Sequence, residues 1–227
     1  MSVTAPQSRS AENAAALPLS YPHQDPVFRV GQMSYTEFIA FDRGAEEGKQ
    51  ELIRGKVFRM PGATMNHNRI TLDASLAFIH ALTSANKPGE VFADGQKVFV
   101  NEQSVFYPDV MVVFGETRAD AHDALLNPAV ILEVLSDSTA AFDRGEKFEY
   151  YPQITSLQHY ILVEQNRVSA THFQKIAGNL WAIVGQHNSL ADTLNVAMDD
   201  AELPIPLSVL YRRIPFSPAS APDPSEG

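Results

Sequence analysis

The longest regular pattern in the chain begins near Asn66, where apolar side chains recur at helical spacing. Their intervals of four, seven and eight residues predict a helix with one buried face, and Pro88-Gly89 ends it. Ser34 followed by Glu37 is a capping-box pattern and predicts a short helix over residues 35–41. Two further helices are predicted, at residues 140–151 and 207–213.

Shorter apolar runs between turn residues predict strands. They lie at residues 51–54, 57–60, 91–93, 96–100, 105–114, 130–135, 159–164, 168–174 and 181–184. The first two flank Gly55-Lys56 and are expected to form a hairpin, and 159–164 is expected to pair with 168–174 across Asn166-Arg167. Because strands and helices do not alternate regularly, the pattern favours an α/β fold with a mixed sheet flanked by helices over a doubly wound parallel sheet.

The two ends of the chain differ from its middle in composition. The first 30 residues are rich in Ala, Ser, Pro and Gln, and they lack the basic start and apolar core of a secretory signal. We therefore expect a flexible leader over residues 1–30, and a disordered tail over the Pro/Ser/Ala-rich residues 216–227. A length of 227 residues fits one domain, which is expected at residues 31–215.

Composition excludes several classes of protein. The chain has no run of about 18 apolar residues that could span a membrane. Cysteine is absent, which excludes disulfides and thiolate zinc sites and favours a cytoplasmic protein in a reducing compartment. Dinucleotide and phosphate-loop motifs are missing, and the seven His residues show no metal-ligand spacing. A net charge of −10 opposes binding of nucleic acid through bulk charge, so such binding needs a local basic surface or bound cations.

Two carboxylates interrupt apolar runs in which a charge is costly. Asp109 falls within the predicted strand 105–114, and Glu133 within the predicted strand 130–135. Burying a carboxylate is unfavourable unless the group is paired, protonated or bound to a cation. Two such carboxylates on neighbouring strands would form an oxygen-lined site suited to Mg²⁺. In the alternative interpretation, each carboxylate pairs with an Arg or lies at a strand end.

Lys147 follows the second carboxylate on the predicted helix 140–151, four residues after Asp143. This spacing places the two side chains on one helix face, where they form either a surface ion pair or part of the site. Beside two metal-bound carboxylates, an ammonium group would orient an attacking water and offset the negative charge that develops on the phosphorus of a phosphoester substrate. Tyr151, on the same predicted helix, either packs on the sheet or touches substrate, and it is interpreted as a packing residue.

Three motifs follow one another along most of the predicted domain. They are a hairpin at residues 51–57 followed by His67, the Pro-Asp run at residues 107–113, and the run at residues 131–136 followed by Asp143, Lys147 and Tyr150 or Tyr151. The ordered set resembles the Uma-type family of endonucleases, within the restriction-endonuclease-like PD-(D/E)XK nuclease superfamily, over about residues 32–175. The resemblance implies a restriction-endonuclease-like core, a central mixed β-sheet flanked by helices, with an extra N-terminal hairpin and C-terminal strands.

The resemblance also implies a metal site. Asp109 and Glu133 would hold a divalent metal, either Mg²⁺ or Mn²⁺, with the main-chain carbonyl of Val134 as a further ligand. Glu51 resembles an additional acidic residue of the superfamily, which reaches the metal directly or through water.

Two further site residues carry less specific signals. The superfamily Lys usually stands two residues after the Glu, where this chain has Leu135, so Lys147 is expected to replace it. His67 would contact phosphate or assist proton transfer, or it would simply cap its helix or lie exposed.

These expectations combine into metal-dependent hydrolysis of a nucleic-acid phosphodiester, with DNA as the expected substrate. Substrate binding would depend on basic side chains such as Arg54, Lys56, Arg59, Arg69, Lys97, Arg144 and Lys147. A homodimer would bring two sites to two strands, an arrangement that the sequence leaves open. Two alternatives remain. One is a nuclease fold that only binds or assembles, in which a side chain neutralises Glu133 and no metal binds, and the other is a hydrolase of another phosphoester.

Overall fold

A computed structural model of the chain describes residues 32–44, 48–60, 62–178 and 180–216. The predicted leader at residues 1–30, and all of the predicted tail beyond Phe216, lie outside these described residues, so both remain predictions. In the described ranges, no helix has the length and apolar character needed to cross a membrane.

The described residues form five α-helices and twelve strands. The helices are α1 (Tyr35–Arg43), α2 (Met65–Ser84), α3 (Ala140–Arg144), α4 (Lys147–Tyr150) and α5 (Leu207–Leu210). The strands are β1 (Gln50–Ile53), β2 (Lys56–Arg59), β3 (Gly89–Ala93), β4 (Val98–Asn101), β5 (Ser104–Phe106), β6 (Val110–Phe114), β7 (Val130–Leu135), β8 (His159–Glu164), β9 (Ala170–Ala177), β10 (Leu180–His187), β11 (Thr193–Met198) and β12 (Ala201–Pro206). The capping box that begins α1 is confirmed, with Ser34 and Glu37 each bonded to the other's main chain.

The central sheet has six strands in the order β10-β9-β8-β7-β6-β3. Strands β7 and β8 run parallel, and the other neighbouring pairs are antiparallel. A second sheet has the order β2-β1-β5-β4, and β11 pairs with β12 as a separate hairpin. The predicted architecture, a mixed sheet flanked by helices, is therefore confirmed.

The two faces of the central sheet bury different cores, because successive strand residues point to opposite faces. Val112 and Ile161 pack with Phe78 of α2 on one face. Met111 and Tyr160 pack with aromatic side chains of α3 and α4 on the other face. Full burial of each such side chain stabilises the fold by roughly 1.5–3 kcal/mol relative to exposure. The same alternation places Glu133 on the face covered by α3 and α4.

The predicted strand 105–114 is wrong at one point that matters for the site. The chain forms β5, leaves the second sheet through Tyr107, Pro108 and Asp109, and enters the central sheet as β6. Proline has no N–H to donate to a strand ladder, which favours such a break. Asp109 therefore lies at the entrance to β6 and not inside a strand.

The predicted helix 140–151 is also interrupted. Gly145 separates α3 from α4, with backbone angles of φ −114° and ψ −86° that are not helical. Lys147 consequently begins a new helical turn instead of continuing the first one. At Tyr151 the chain passes from α4 into a single 3₁₀ turn.

Two hairpins differ from the sequence expectation. The turn between β1 and β2 is Arg54-Gly55, one residue earlier than predicted, and both residues have positive φ (51° and 74°), as type I′ turns require. The β11–β12 hairpin is absent from the predicted elements. Its buried positions alternate as in a strand, but Pro204 and Pro206 make β12 look like a loop.

Candidate active site

Asp109 and Glu133 lie opposite each other because of the register between β6 and β7. Val110 pairs with Leu132 in this antiparallel ladder, so the next residues outward face each other. The main-chain nitrogen of Asp109 lies 3.4 Å from Glu133 Oε2. The main-chain N–H of Val134 donates to Asp109 Oδ2 at 2.7 Å. Each strand therefore holds the carboxylate of its neighbour through a main-chain amide.

Lys147 approaches the carboxylates from α4. Its Nζ atom lies 2.6 Å from Glu133 Oε1 and 2.8 Å from Asp143 Oδ1. The side chains of Lys147 and Asp143 are only 5% and 3% exposed. The alternative that these two residues form a surface ion pair is therefore wrong. Leu135, at the usual position of the superfamily Lys, is buried in the apolar core.

Tyr151 has a contact that its interpretation as a packing residue does not include. Its ring packs against that of Phe106, with centroids 5.6 Å apart. Its hydroxyl also donates to Glu133 Oε1 at 2.7 Å. A buried Tyr hydroxyl usually has a hydrogen-bond partner. That requirement is the signal that could have linked Tyr151 to the buried carboxylate.

A cleft of about 350 Å³ opens beside these residues. It is lined by Gly48, Lys49, Met60, Gly62, Ala63, His67, Asp94, Asp109, Glu133, Ser136, Thr139, Phe142, Asp143 and Lys147. Four side chains proposed from the sequence, those of His67, Asp109, Glu133 and Lys147, thus share one cleft. Lys49 also lines the cleft. The sequence around it carries no pattern that predicts this role.

His67 is held at the cleft by the first turn of α2. Thr64 is the N-cap of this helix, and its hydroxyl accepts a hydrogen bond from the His67 N–H at 3.1 Å. Nε2 of His67 lies 3.2 Å from Asp109 Oδ2. Burial lowers the pKa of His67, but the hydrogen bond and charge of Asp109 outweigh burial and raise it. The alternative that His67 caps the helix is wrong, because Thr64 does so.

Glu51 lies apart from the cleft lining. It is completely buried on β1, and its Oε1 atom accepts a hydrogen bond from the main-chain N–H of Tyr107 at 3.0 Å. This contact holds the segment that leads to Asp109. Participation of Glu51 in metal binding remains a prediction.

The cleft holds more buried negative charge than positive charge. Burial raises the pKa of Glu133 to about 8 against the opposing charge of Lys147, and the charges of Asp143 and Asp109 add to the rise. Burial also opposes the charged form of Lys147, but Asp143 and Glu133 hold its pKa well above the ordinary value. Two carboxyl groups, those of Glu133 and Asp143, therefore contact one ammonium group, while the third, that of Asp109, contacts His67. Such a site favours an additional cation, or a proton on Glu133.

The donor atoms fit Mg²⁺ in kind, because carboxylate oxygens are the side-chain ligands that this ion prefers. Glu133 Oε1 accepts from Lys147 and Tyr151, whereas the described contact of Oε2 is the long one to the Asp109 nitrogen. Within the described ranges, no three His, Cys, Asp or Glu side chains are grouped closely enough to hold a metal ion by themselves. A metal here would need main-chain or water oxygens as further ligands, which Mg²⁺ commonly retains.

The basic side chains expected to contact nucleic acid are largely paired within the chain. Their ion pairs are Arg54–Glu149, Lys97–Asp42, Arg144–Glu164 and Lys147–Glu133. Lys49, at the cleft, pairs with Asp94. The predicted basic surface is therefore weaker than a count of Lys and Arg suggests.

Comparison with known proteins identifies the family whose model this chain matches. Residues 35–205 match the model of the Uma2 family, whose description is "Putative restriction endonuclease". Two proteins of Synechocystis sp., sll1609 and slr1290, both described as uncharacterized, are similar to this chain. The first is 34% identical over 154 residues, covering 66% of this chain and 85% of that protein. The second is 29% identical over 186 residues, covering 82% of this chain and 94% of that protein.

A solved structure supports the fold. The crystal structure of a protein from Anabaena variabilis, described as a putative nuclease belonging to DUF820, superposes with a TM-score of 0.58. The match covers 79% of this chain and 98% of that chain, at 12% sequence identity. At this identity the likeness is one of fold, and it agrees with the predicted nuclease-like core.

Proposed function

Because the chain belongs to the Uma2 family and has a nuclease-like fold, we propose that it is a metal-dependent endonuclease that hydrolyses DNA phosphodiesters. The observation that supports this most directly is the cleft in which Asp109, Glu133, Lys147 and His67 come together. Its surplus of carboxylates calls for a cation, and its ammonium group lies where a phosphoryl oxygen or a water could reach it.

Asp109 and Glu133 are the residues that would hold the Mg²⁺, or Mn²⁺ in its place, with the Val134 carbonyl as a further ligand. When bound, such a metal supplies a nucleophilic water at neutral pH and neutralises charge on the phosphate. Both carboxylates are positioned by the chain itself, since the main-chain amide of Val134 holds Asp109 and two side-chain donors hold Glu133.

Lys147 is proposed as the cation that acts on the substrate. An ammonium group has three N–H bonds. The hydrogen bond to Glu133 uses one of them, and Asp143 is held at ion-pair distance. An N–H bond that does not point at Glu133 is the donor proposed for a water or a phosphoryl oxygen in the cleft. Asp143 is therefore proposed as a positioning residue that orients Lys147. His67 is placed to hold Asp109, and its contact with phosphate remains a prediction.

Cleavage of supercoiled plasmid DNA tests this proposal. We expect nicking or linearisation that requires Mg²⁺ or Mn²⁺ and stops with EDTA. The variants Asp109→Asn and Lys147→Met should each reduce the rate by at least about 100-fold, because the first removes a metal ligand and the second removes a cation that acts on the reacting phosphate. Asp200→Asn is the matched control, because Asp200 is an exposed carboxylate that pairs with Lys87 and does not line the cleft.

Two outcomes would contradict the proposal. Metal-dependent cleavage that survives in Asp109→Asn would place the activity elsewhere or in a contaminant. Cleavage that is unchanged in Lys147→Met would remove this residue from the mechanism, even if metal and Asp109 are needed.

One observation favours the second candidate, a nuclease fold that binds without catalysis. Lys147 already neutralises Glu133 at 2.6 Å, as this alternative expects. Calorimetric titration with Mg²⁺ separates the two. Binding by the wild type that Asp109→Asn loses supports the endonuclease, whereas absence of both binding and cleavage supports the non-catalytic module. Metal binding with turnover of a small phosphodiester but not of DNA would indicate a hydrolase of another phosphoester.

A further inference from the structure

The outer face of α2 is unusual for a surface helix. Its inner face packs on the central sheet, and eight of its residues are exposed. They are Met65, Asn68, Leu72, Leu76, Ile79, His80, Thr83 and Ser84. Leu72, Leu76 and Ile79 are 47%, 45% and 48% exposed. A surface helix of a globular protein normally has charged and polar residues on this face.

The eight exposed positions carry no formal charge, and Arg69, the one charged residue of α2 besides the buried Asp73, is half-buried beside them. None of the eight exposed positions is Asp, Glu, Lys or Arg, in a chain that contains 27 acidic and 17 basic residues. Two copies of the chain, each with a net charge of −10, repel each other over most of their surfaces. The α2 face avoids this repulsion and offers apolar side chains for burial. It is therefore a surface at which a second copy of this chain can approach with little electrostatic cost.

The order of side chains on this face is nearly the same from either end. Reading along the helix, it is Asn68, Leu72, Leu76, Ile79 and Thr83, with three apolar residues between two polar ones. A two-fold interface needs such self-complementarity, because residue i of one copy contacts residue j of the other and j contacts i. An antiparallel pair of α2 helices centred at Leu76 matches Leu72 with Ile79 of the second copy.

We propose that α2 forms a homodimer interface in which two copies pack antiparallel about a two-fold axis at Leu76. A 20-residue helix is about 30 Å long and about 10 Å wide. Its outer face alone supplies less than the roughly 800 Å² per partner of a standard interface. The dimer is therefore weak and forms with increasing protein concentration. This proposal does not depend on the proposed hydrolase activity.

The first test measures mass against concentration by sedimentation equilibrium on the full chain. The wild type should shift from its monomer mass of 25.0 kDa toward twice that value. Leu76→Glu places two carboxylates at the two-fold axis and should remain monomeric. Ile183→Glu is the matched control, because Ile183 is another exposed aliphatic residue, 54% exposed on β10. It should dimerise as the wild type does.

Three results would overturn the proposal. The first is a wild type that stays monomeric at every concentration. The second is a Leu76→Glu variant that dimerises as well as the wild type while its thermal unfolding is unchanged. The third is loss of dimer in Ile183→Glu alone, which would place the interface at the β10 edge.

The second test determines the orientation and uses the absence of natural cysteine. Under mild oxidation, Leu76→Cys should form a covalent dimer, and a mixture of Leu72→Cys with Ile79→Cys should form a mixed dimer. Leu72→Cys alone should not cross-link, because antiparallel packing separates the two Leu72 positions by about 12 Å along the axis, beyond disulfide reach. Efficient cross-linking of Leu72→Cys with itself would indicate parallel packing and refute the antiparallel arrangement.

Discussion

The buried charged residues of the cleft are stabilised by ion pairs and hydrogen bonds with one another rather than by apolar packing. Glu133 is 4% exposed and receives both Lys147 and Tyr151 on one carboxylate oxygen. Lys147 in turn contacts two carboxylates and lies within 6.0 Å of the centroids of three aromatic rings. Because these side chains are almost completely buried, the loss of one charge leaves its partners without compensation.

This balance predicts the stability of Lys147→Met. The variant leaves Glu133 and Asp143 buried without a cation, so we expect the free energy of unfolding to fall by about 3–5 kcal/mol in urea titration. Adding Glu133→Gln should recover part of the loss. Lys49→Met is the matched control, since its ion pair with Asp94 is 34% and 62% exposed and should contribute less than about 1 kcal/mol. Equal losses for the two Lys variants would contradict the prediction.

How far residue roles can be predicted from sequence depends on how unusual each residue is in its local pattern. Glu133 stands out as an acid within an apolar strand, and the strand forms at the predicted residues. Lys147 could be proposed only through its resemblance to a motif, because a Lys four residues after an Asp is ordinary on a helix surface. Its burial arises from the break at Gly145 and from an aromatic neighbour distant in sequence, Phe106, which no local spacing reveals.

At the scale of elements, a pair of His side chains joins the central sheet to the β11–β12 hairpin. His159 on β8 donates from Nε2 to the carbonyl of Ala197 on β11, with a separation of 2.9 Å. Its Nδ1 atom lies 2.9 Å from Nε2 of His172 on β9 and is left to accept. Burial lowers the pKa of both rings, and the charges of His159 and His187 help to lower that of His172 to about 4.

The lowered pKa of His172 predicts a loss of stability in acid. The folded chain keeps this ring neutral, whereas the unfolded chain takes up a proton near pH 6.5. The free energy of unfolding should therefore fall as the pH drops from about 6.5 toward 4, by about 2 kcal/mol from this residue. In urea titrations at several pH values, His172→Gln should show a correspondingly smaller fall. Identical pH dependence in the wild type and the variant would exclude this contribution.

Elements with a strong local period can be predicted, and those shaped by the junction of two sheets cannot. Helix α2 begins within a residue of the predicted start, because its buried face repeats at helical spacing. The segment from Val105 to Phe114 reads as one apolar run, yet its two halves belong to different sheets. The β12 strand is hidden by prolines, which it tolerates because β11 is its single partner among the described strands.

At the scale of the whole molecule, charge opposes the proposed substrate. The chain carries a net charge of −10, and several of its basic side chains are engaged in internal ion pairs. Binding of DNA through counterion release needs free Lys and Arg contacts to phosphate. If the proposed function is correct, a divalent cation in the cleft must supply part of the attraction.

Fluorescence anisotropy with a labelled DNA duplex tests this expectation. In EDTA the wild type should bind weakly, and Ca²⁺, which takes the same oxygen ligands as Mg²⁺, should strengthen binding by at least about tenfold. Asp109→Asn should lose the Ca²⁺-dependent gain, whereas Asp200→Asn should retain it. Tight binding in EDTA would show that a basic surface, and not the cleft cation, holds the nucleic acid.

The short passage from β5 to β6 has a mechanical consequence. At its start, Glu51 of the second sheet holds the amide of Tyr107, and at its end the amide of Val134 in the central sheet holds Asp109. A tilt of one sheet against the other is thus transmitted along three residues to a single carboxylate. The register of β6 and β7 sets the spacing between the two acids of the cleft, and the Glu51–Tyr107 contact connects that spacing to the second sheet, so a load applied to the second sheet would change it.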